Sequence, residues 1–383
     1  MKALILNSGL GTRMGVLTSE HPKCMTEVSP RETILSRQLS MLAETGVTEV
    51  VITTGLFDSV LVHYCQSLAL PLHITFVHNP RYRETNYIYS IYCAKELLDD
   101  DILLMHGDLV FESEVLDRVL ASPVSCMTVS STLPLPQKDF KAVVRDGKVM
   151  KVGIEFFNEA MAAQALYHLK RDSMRLWLNK ISEFCEAGND RVYAENALNE
   201  LNGAANITAL DVGDMLCAEI DDAQDLAVVS AMLAQVDART VYMCFSTDVI
   251  RSGHIAILRR ARRLGRVIVG VLSDEAVAAR GRIPRVSYAD RRIVLENLRG
   301  VYKVVEQKTV SYKENLELLH PNYVVHGDDW RTGNGRALRD EVTAVLASYG
   351  GRLVEFPYDG ARVYVQANLL KTKQKGRSNA SSF

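Results

Sequence analysis

Short apolar runs alternate along this chain with stretches whose apolar residues recur at helical spacing, and they do so in two successive blocks. The first run, Ala3-Leu-Ile-Leu6, is uninterrupted, as suits a parallel strand buried on both faces. It opens into Asn7-Ser-Gly-Leu-Gly-Thr-Arg13. A helix is predicted over Glu32–Ala43 and a strand over Thr48–Thr53, completing one strand–helix–strand step. Further strands are predicted over His73–Val77, Asp101–Asp108, Lys148–Gly153 and Cys217–Asp225, with an amphipathic helix over Asp172–Phe184.

From Thr240 the alternation restarts and is cleaner. Strands are predicted over Val241–Phe245, Arg266–Leu272, Asn322–His326 and Arg352–Phe356. Helices are predicted over Gly253–Leu264 and Tyr288–Leu298, and from Lys313 and Arg336. Four strands interleaved with helices imply a compact parallel sheet of the Rossmann type. A length of 383 residues is too much for one ordinary core. The expected division is 1–236, 237–365 and a disordered tail, 366–383, rich in Lys, Ser and Asn.

Composition fits a soluble enzyme: 48% apolar residues, 23% charged and a formal net charge of −2, which implies no nucleic-acid partner. No apolar run is long enough to cross a bilayer, and Met1-Lys2-Ala3 leads straight into the first strand without a leader, so the cytoplasm is expected. Seven scattered cysteines without a Cys-x-x-Cys pair read as buried free thiols. The basic run Arg259, Arg260, Arg262, Arg263 reads as a solvated helix face.

The chemistry begins at Gly9-x-Gly11-Thr12-Arg13. Two glycines after a buried strand let backbone N–H groups approach an anion, although such a loop is as often a plain strand-to-helix turn, and Arg13 and Lys23 add positive charge. Asp108 ends an apolar run, where ligands gather in open α/β sheets, although an Asp there also serves as a turn residue or helix cap. Between strands, Asn79–Tyr92 crowds Asn86 with four tyrosines, including Tyr87.

Gly9-x-Gly11-Thr12-Arg13 with Pro22-Lys23 resembles the signature of nucleotidyltransferases that make sugar-nucleotides and CDP-choline, in which the loop wraps the triphosphate and Arg and Lys neutralise the leaving pyrophosphate. Asn7-Ser8 departs from two usual alanines, and Gly15 from a frequent second arginine. The tyrosine-rich segment resembles that of bacterial phosphocholine cytidylyltransferases, where it helps form the nucleotide and alcohol pockets. Glu219-Ile-Asp221-x-x-x-Asp225 resembles the closing segment of the same enzymes. The resemblance covers roughly residues 2–232. It implies Asp108 and Asp221 as Mg²⁺ ligands, a role hard oxygen donors suit. It further implies Asn86 on the nucleotide; Tyr87, Tyr193, Glu195 and Glu219 would suit an acceptor with a cationic head, although acidic residues near a metal can equally serve to support it.

In the second block, Phe245–His254 resembles the F-D-x-x-H-x-G-H signature, and Gly327-Asp328-Asp329-Trp330 the G-D-D-W segment of glycerol-3-phosphate cytidylyltransferases. More broadly, residues 241–360 resemble the cytidylyltransferase domain fused to phosphoenolpyruvate mutase in phosphonate biosynthesis. This implies Gly253, His254, Asp328, Asp329 and Trp330 around a nucleotide. Arg251 replaces the first histidine, and Gly360–Tyr364 lacks the usual hydroxyls.

The combined expectation is an α/β protein of two Rossmann-like domains, an N-terminal GT-A-like nucleotidyltransferase with a mixed sheet and a smaller H-x-G-H-type cytidylyltransferase-like domain. It would transfer CMP from CTP to a small phosphonate such as 2-aminoethylphosphonate or 2-hydroxyethylphosphonate, with Mg²⁺ and release of pyrophosphate. Phosphocholine as acceptor, a second transfer site at His254, and a non-catalytic nucleotide-binding or assembly module at the C-terminus remain alternatives. Nucleic acid and membrane are not expected partners, and assembly into a homo-oligomer is left open.

Overall fold

The computed structural model describes residues 1–30, 32–245 and 249–357. The expectations for Ser246–Asp248, Gly360–Tyr364 and the tail lie outside the described residues. The chain divides into two compact units, Met1–Gln235 and the residues from Val236 onward.

Unit 1 is built on a nine-stranded mixed sheet. Its parallel half runs His73–His78, Glu49–Thr54, Lys2–Leu6, Ile102–His106. Ala160–Leu169 then pairs antiparallel with Ile102–His106, followed by Cys126–Ser130, Thr208–Asp211, Lys148–Gly153 and Lys141–Arg145. The first strand shows why its apolar run is unbroken. Leu4 and Leu6 belong to one core with Ile88 and Trp177, while Ala3 and Ile5 belong to the opposite core with Leu35 and Leu39.

Four strands of this sheet went unread in the sequence: Cys126–Ser130, Lys141–Arg145, the long Ala160–Leu169 and Thr208–Asp211. The Lys141–Arg145 strand turns at Asp146-Gly147, both at positive φ (51° and 73°), into Lys148–Gly153, a dipeptide that favours a tight hairpin turn. The predicted strand Cys217–Asp225 is short, Cys217–Glu219, and gives way to the helix Ala223–Ala238, with Asp225 accepting from the backbone N–H groups of Asp221 and Asp222.

Unit 2 is a five-stranded, wholly parallel sheet in the order Val301–Gln307, Arg266–Leu272, Thr240–Phe245, Tyr323–Gly327, Arg352–Phe356. The first of these is a fifth strand that the sequence pattern did not reveal. It lies at the sheet edge with much of its length exposed, so no continuous apolar run marks it. Arg259 and Arg260 are exposed, while Arg262 and Arg263 are half-buried. Among the described residues all seven cysteines are free thiols, five buried and two, Cys93 and Cys244, partly so. No described helix is long and apolar enough to cross a membrane.

Candidate functional site

In unit 1 the site forms where Lys2–Leu6 and Ile102–His106 end side by side, Leu6 opposite His106 in register. Beyond Leu6 the chain stays buried through Asn7 and Ser8. Ser8 Oγ lies 2.5 Å from Ser90 Oγ, and Asn79 Nδ2 donates to Ser90 at 2.9 Å. The departure from two alanines therefore ties the loop to the tyrosine-rich segment. Gly11 has φ 64°, where a side chain would be strained, and a Cβ there would approach Lys23 Cβ to 3.3 Å.

Lys23 itself lies between two carboxylates. Its Nζ donates to Asp108 Oδ2 at 2.6 Å and to Asp221 Oδ1 at 2.7 Å, and Arg13 Nη2 reaches the same Asp221 oxygen at 2.8 Å. All four expected catalytic residues thus converge. Lys23 does not stand free toward the loop, because the half-buried carboxylates claim its ammonium. Burial opposes the charge on Lys23, but Asp108 and Asp221 outweigh it and raise its pKa. For Asp108 burial pushes the other way, and Lys23 and His106 together still hold the carboxyl below its usual range.

A cavity of about 730 Å³ opens beside this cluster, lined by Gly9, Arg13, Asn86, Tyr87, His106, Asp108, Tyr193, Glu219 and Asp221 among others. A smaller one of about 280 Å³ lies under the loop, with Gly9, Gly11, Thr12, Arg13, Lys23, Asp108 and Asp221 on its wall. Asn86 also caps the helix Tyr87–Cys93, its side chain accepting from the Tyr87 N–H. Aromatic rings form one wall of the larger cavity. Tyr87 packs on His106 at 4.8 Å and on Tyr193 at 5.9 Å, and Phe140 packs on Tyr193 at 5.1 Å.

Glu195 departs from its expected role. It is 1% exposed and accepts from both Tyr87 and Tyr167 hydroxyls, so it anchors the aromatic wall from behind and does not line the cavity. Glu219 does line it, 2.9 Å from His106 Nδ1. Burial lowers the His106 pKa, but Glu219, Asp108 and Glu195 overcome this and raise it to about 9. Sequence reading missed His106, which ends the strand Ile102–His106 two residues before Asp108, where a turn follows. It also missed Arg83, Lys138 and Arg191, which bring positive charge to the cavity.

Unit 2 holds a cavity of about 620 Å³ at the carboxyl ends of its strands, lined by Phe245, Arg251, His254, Arg280, Arg282, His326, Asp329 and Trp330 among others. His254 sits in the first turn of the helix Ser252–Ala261, where its Nδ1 accepts from the Arg251 N–H at 3.0 Å. Its Nε2 is then the nitrogen that carries the proton in the neutral ring. Burial and Arg251 both lower the His254 pKa. Trp330 stacks on His326 at 3.8 Å and donates to Glu355 at 2.7 Å. Gly253 and Asp328, expected here, are not on the cavity wall.

Two known families match separate stretches of the chain. Residues 3–171 match the MobA-like NTP transferase domain, and residues 246–374 match the cytidylyltransferase-like family. Over 100 residues the chain is 32% identical to a glycerol-3-phosphate cytidylyltransferase of Bacillus subtilis, covering 26% of this chain and 77% of that protein. The chain belongs to the nucleotidyltransferases. A CMP-5'-(3-aminopropyl)phosphonate synthase of Streptomyces rubellomurinus is 37% identical over 135 residues, and this nucleotidyltransferase spans only 21% of its length with 35% of its own. A 2-aminoethylphosphonate cytidylyltransferase of Lancefieldella rimae is 24% identical over 227 residues, covering 59% of this chain and 90% of the relative. In fold, a glucose-1-phosphate thymidylyltransferase structure from Bacillus anthracis aligns with a TM-score of 0.50 at 14% identity, covering 61% of this chain and 94% of that one.

The residues of this nucleotidyltransferase fit a divalent ion. Asp108 and Asp221 already converge on a cation, the Lys23 ammonium. Carboxylate oxygens completed by phosphate oxygens are the donor set that Mg²⁺ takes.

Proposed function

We propose that unit 1 transfers CMP from CTP to a small phosphonate and releases pyrophosphate. The observation that carries this reading is the convergence of Arg13, Lys23, Asp108 and Asp221 at the head of the 730 Å³ cavity. The loop from Gly9 to Arg13 would hold the triphosphate through backbone N–H groups. Arg13 and Lys23 supply positive charge for the departing pyrophosphate, and a phosphonate oxygen attacks the α-phosphorus in line. Asp108 and Asp221 would hold Mg²⁺, which lowers the barrier by neutralising charge on the phosphate oxygens. No covalent enzyme intermediate is required.

The acceptor's carbon end would lie against Tyr87, Phe140 and Tyr193, whose ring faces suit a cationic head. The names of the aminopropylphosphonate and aminoethylphosphonate relatives support the phosphonate class. The test is pyrophosphate release by the full chain with CTP, ATP, GTP and UTP, each against 2-aminoethylphosphonate, 2-hydroxyethylphosphonate and phosphocholine. CTP with a phosphonate should lead the panel. Preference for another nucleotide, or for phosphocholine, would replace the corresponding half of the proposal.

A second reading rests on the unit 2 cavity, where His254 and Arg251 could serve a second transfer. Comparing Asp108→Ala with His254→Ala over the same panel distinguishes two working sites from one.

A further inference from the structure

We propose that His106, Asp108 and Glu219 form a cation site with an imidazole ligand, distinct from the Asp108 and Asp221 pair and suited to a borderline divalent ion such as Mn²⁺, Co²⁺ or Zn²⁺. One donor atom from each of the three residues lies within 4.8 Å of the others. Ligands held about 2.1 Å from an ion sit roughly 3–4 Å apart, so only a small contraction is needed.

Three polar atoms of this cluster, His106 Nε2, Asp108 Oδ1 and Glu219 Oε1, are buried without a hydrogen-bond partner. Buried polar atoms are rarely left so, and three together point to something that would satisfy them. The 2.9 Å ion pair of His106 Nδ1 with Glu219 Oε1 compensates the Glu219 charge but leaves His106 Nε2 and Asp108 Oδ1 without partners. Asp108 divides its carboxylate between two sides. Oδ2 accepts from Lys23, while Oδ1 has no partner.

The backbone holds the three residues firmly. His106 ends the strand Ile102–His106 and Asp108 follows it by two residues, while Glu219 ends Cys217–Glu219, which pairs antiparallel with Leu109–Phe111 and sets Glu219 opposite Leu109. A set with one imidazole and two carboxylates differs in chemistry from the all-oxygen pair. Imidazole draws the later first-row ions, whereas Mg²⁺ prefers oxygen alone. All three residues line the larger cavity, so an ion there would meet the acceptor, a consequence that rests on the transfer site proposed above.

The test uses the full chain, stripped with a chelator and titrated with Co²⁺ while visible absorption is followed. The wild type should develop the bands of a protein-bound ion at one equivalent. His106→Gln and Glu219→Gln should each weaken binding by at least about tenfold, while Asp221→Asn keeps the spectrum. Circular dichroism melts establish that each variant is folded, and the two ligand variants guard against one of them failing. Three results would overturn the proposal: no Co²⁺ spectrum in the wild type, an unchanged spectrum and affinity in folded His106→Gln, or a loss confined to Asp221→Asn. Pyrophosphate release by Asp221→Asn with CTP and Mg²⁺ reports separately on the transfer site, so the two readings can fail independently.

Discussion

The Lys23 ammonium stands 2.6 Å from Asp108 Oδ2, with both side chains largely buried. Lys23 also reaches Asp221, so removing it takes the ammonium from Asp108 and leaves Asp221 with Arg13 alone. Lys23→Met should therefore destabilise the metal-free protein by on the order of 3 kcal/mol, and Mg²⁺ should restore much of that loss. Urea unfolding with and without Mg²⁺ checks this. The rate of CTP consumption should fall as well, and a change in stability alone would confine Lys23 to the ion pair.

Asp108→Ala is expected to lower turnover by about a thousandfold while leaving the fold intact, since a bound metal supplies several kcal/mol and each 1.36 kcal/mol is a factor of ten. Near-normal rates in a folded variant would remove Asp108 from the metal site.

Gly107 admits no side chain. A Cβ there would fall 1.6 Å from Asn7 Oδ1 and 2.8 Å from Leu6 O. Gly107→Ala should cost about 1–3 kcal/mol and displace the glycine-rich loop, lowering the melting temperature and, on the proposed function, weakening CTP binding together. An unchanged melting curve would mean the Asn7 side chain moves aside freely.

Glu355 accepts two hydrogen bonds from Arg339, at 2.9 and 3.0 Å, and one from Trp330. The Arg339 hydrogen bonds lead; burial opposes them, Trp330 assists, and the carboxyl is held at about 2 against an ordinary 4.5. A depressed carboxylate contributes stability above its unfolded pKa and loses it as pH falls through the folded one. Unit 2 should lose at most about 3 kcal/mol between pH ~4.5 and ~2, and Glu355→Gln should lack that part of the pH dependence in acid unfolding curves.

The unit 2 cavity is expected to bind a nucleotide but to turn it over poorly. His254 offers a donor and Arg251 a permanent charge, but Arg251 cannot exchange a proton as histidine does. Calorimetric titration of Asp108→Ala with CTP should show binding that His254→Ala removes, with little pyrophosphate formed. Robust turnover lost in His254→Ala would make this a second working enzyme.

Period and composition were enough to read the α/β class and the parallel second sheet, whereas the mixed first sheet was implied by the family resemblance. They were enough because strands buried on both faces leave unbroken apolar runs, as in Ala3–Leu6 and Arg266–Leu272. They failed for Val301–Gln307, whose exposed edge needs no such run, and for the hairpin before Lys148, whose signal lay in Asp146-Gly147 and not in apolar spacing.

By itself the sequence pointed to Arg13, Lys23 and Asp108 through a glycine-rich turn, two cations and a strand-terminal acid, and to Asp221 through the family resemblance. What only the tertiary structure decided is how they meet. Lys23 and Asp221 are 198 positions apart, and no local pattern encodes a hydrogen bond between them. The same holds for Glu195, whose helix turns its carboxylate toward Tyr167 behind the aromatic wall. It holds too for His106, brought to Glu219 by strand pairing. Periodicity determines which face of an element is buried, but the partner across that face depends on the packing of distant segments.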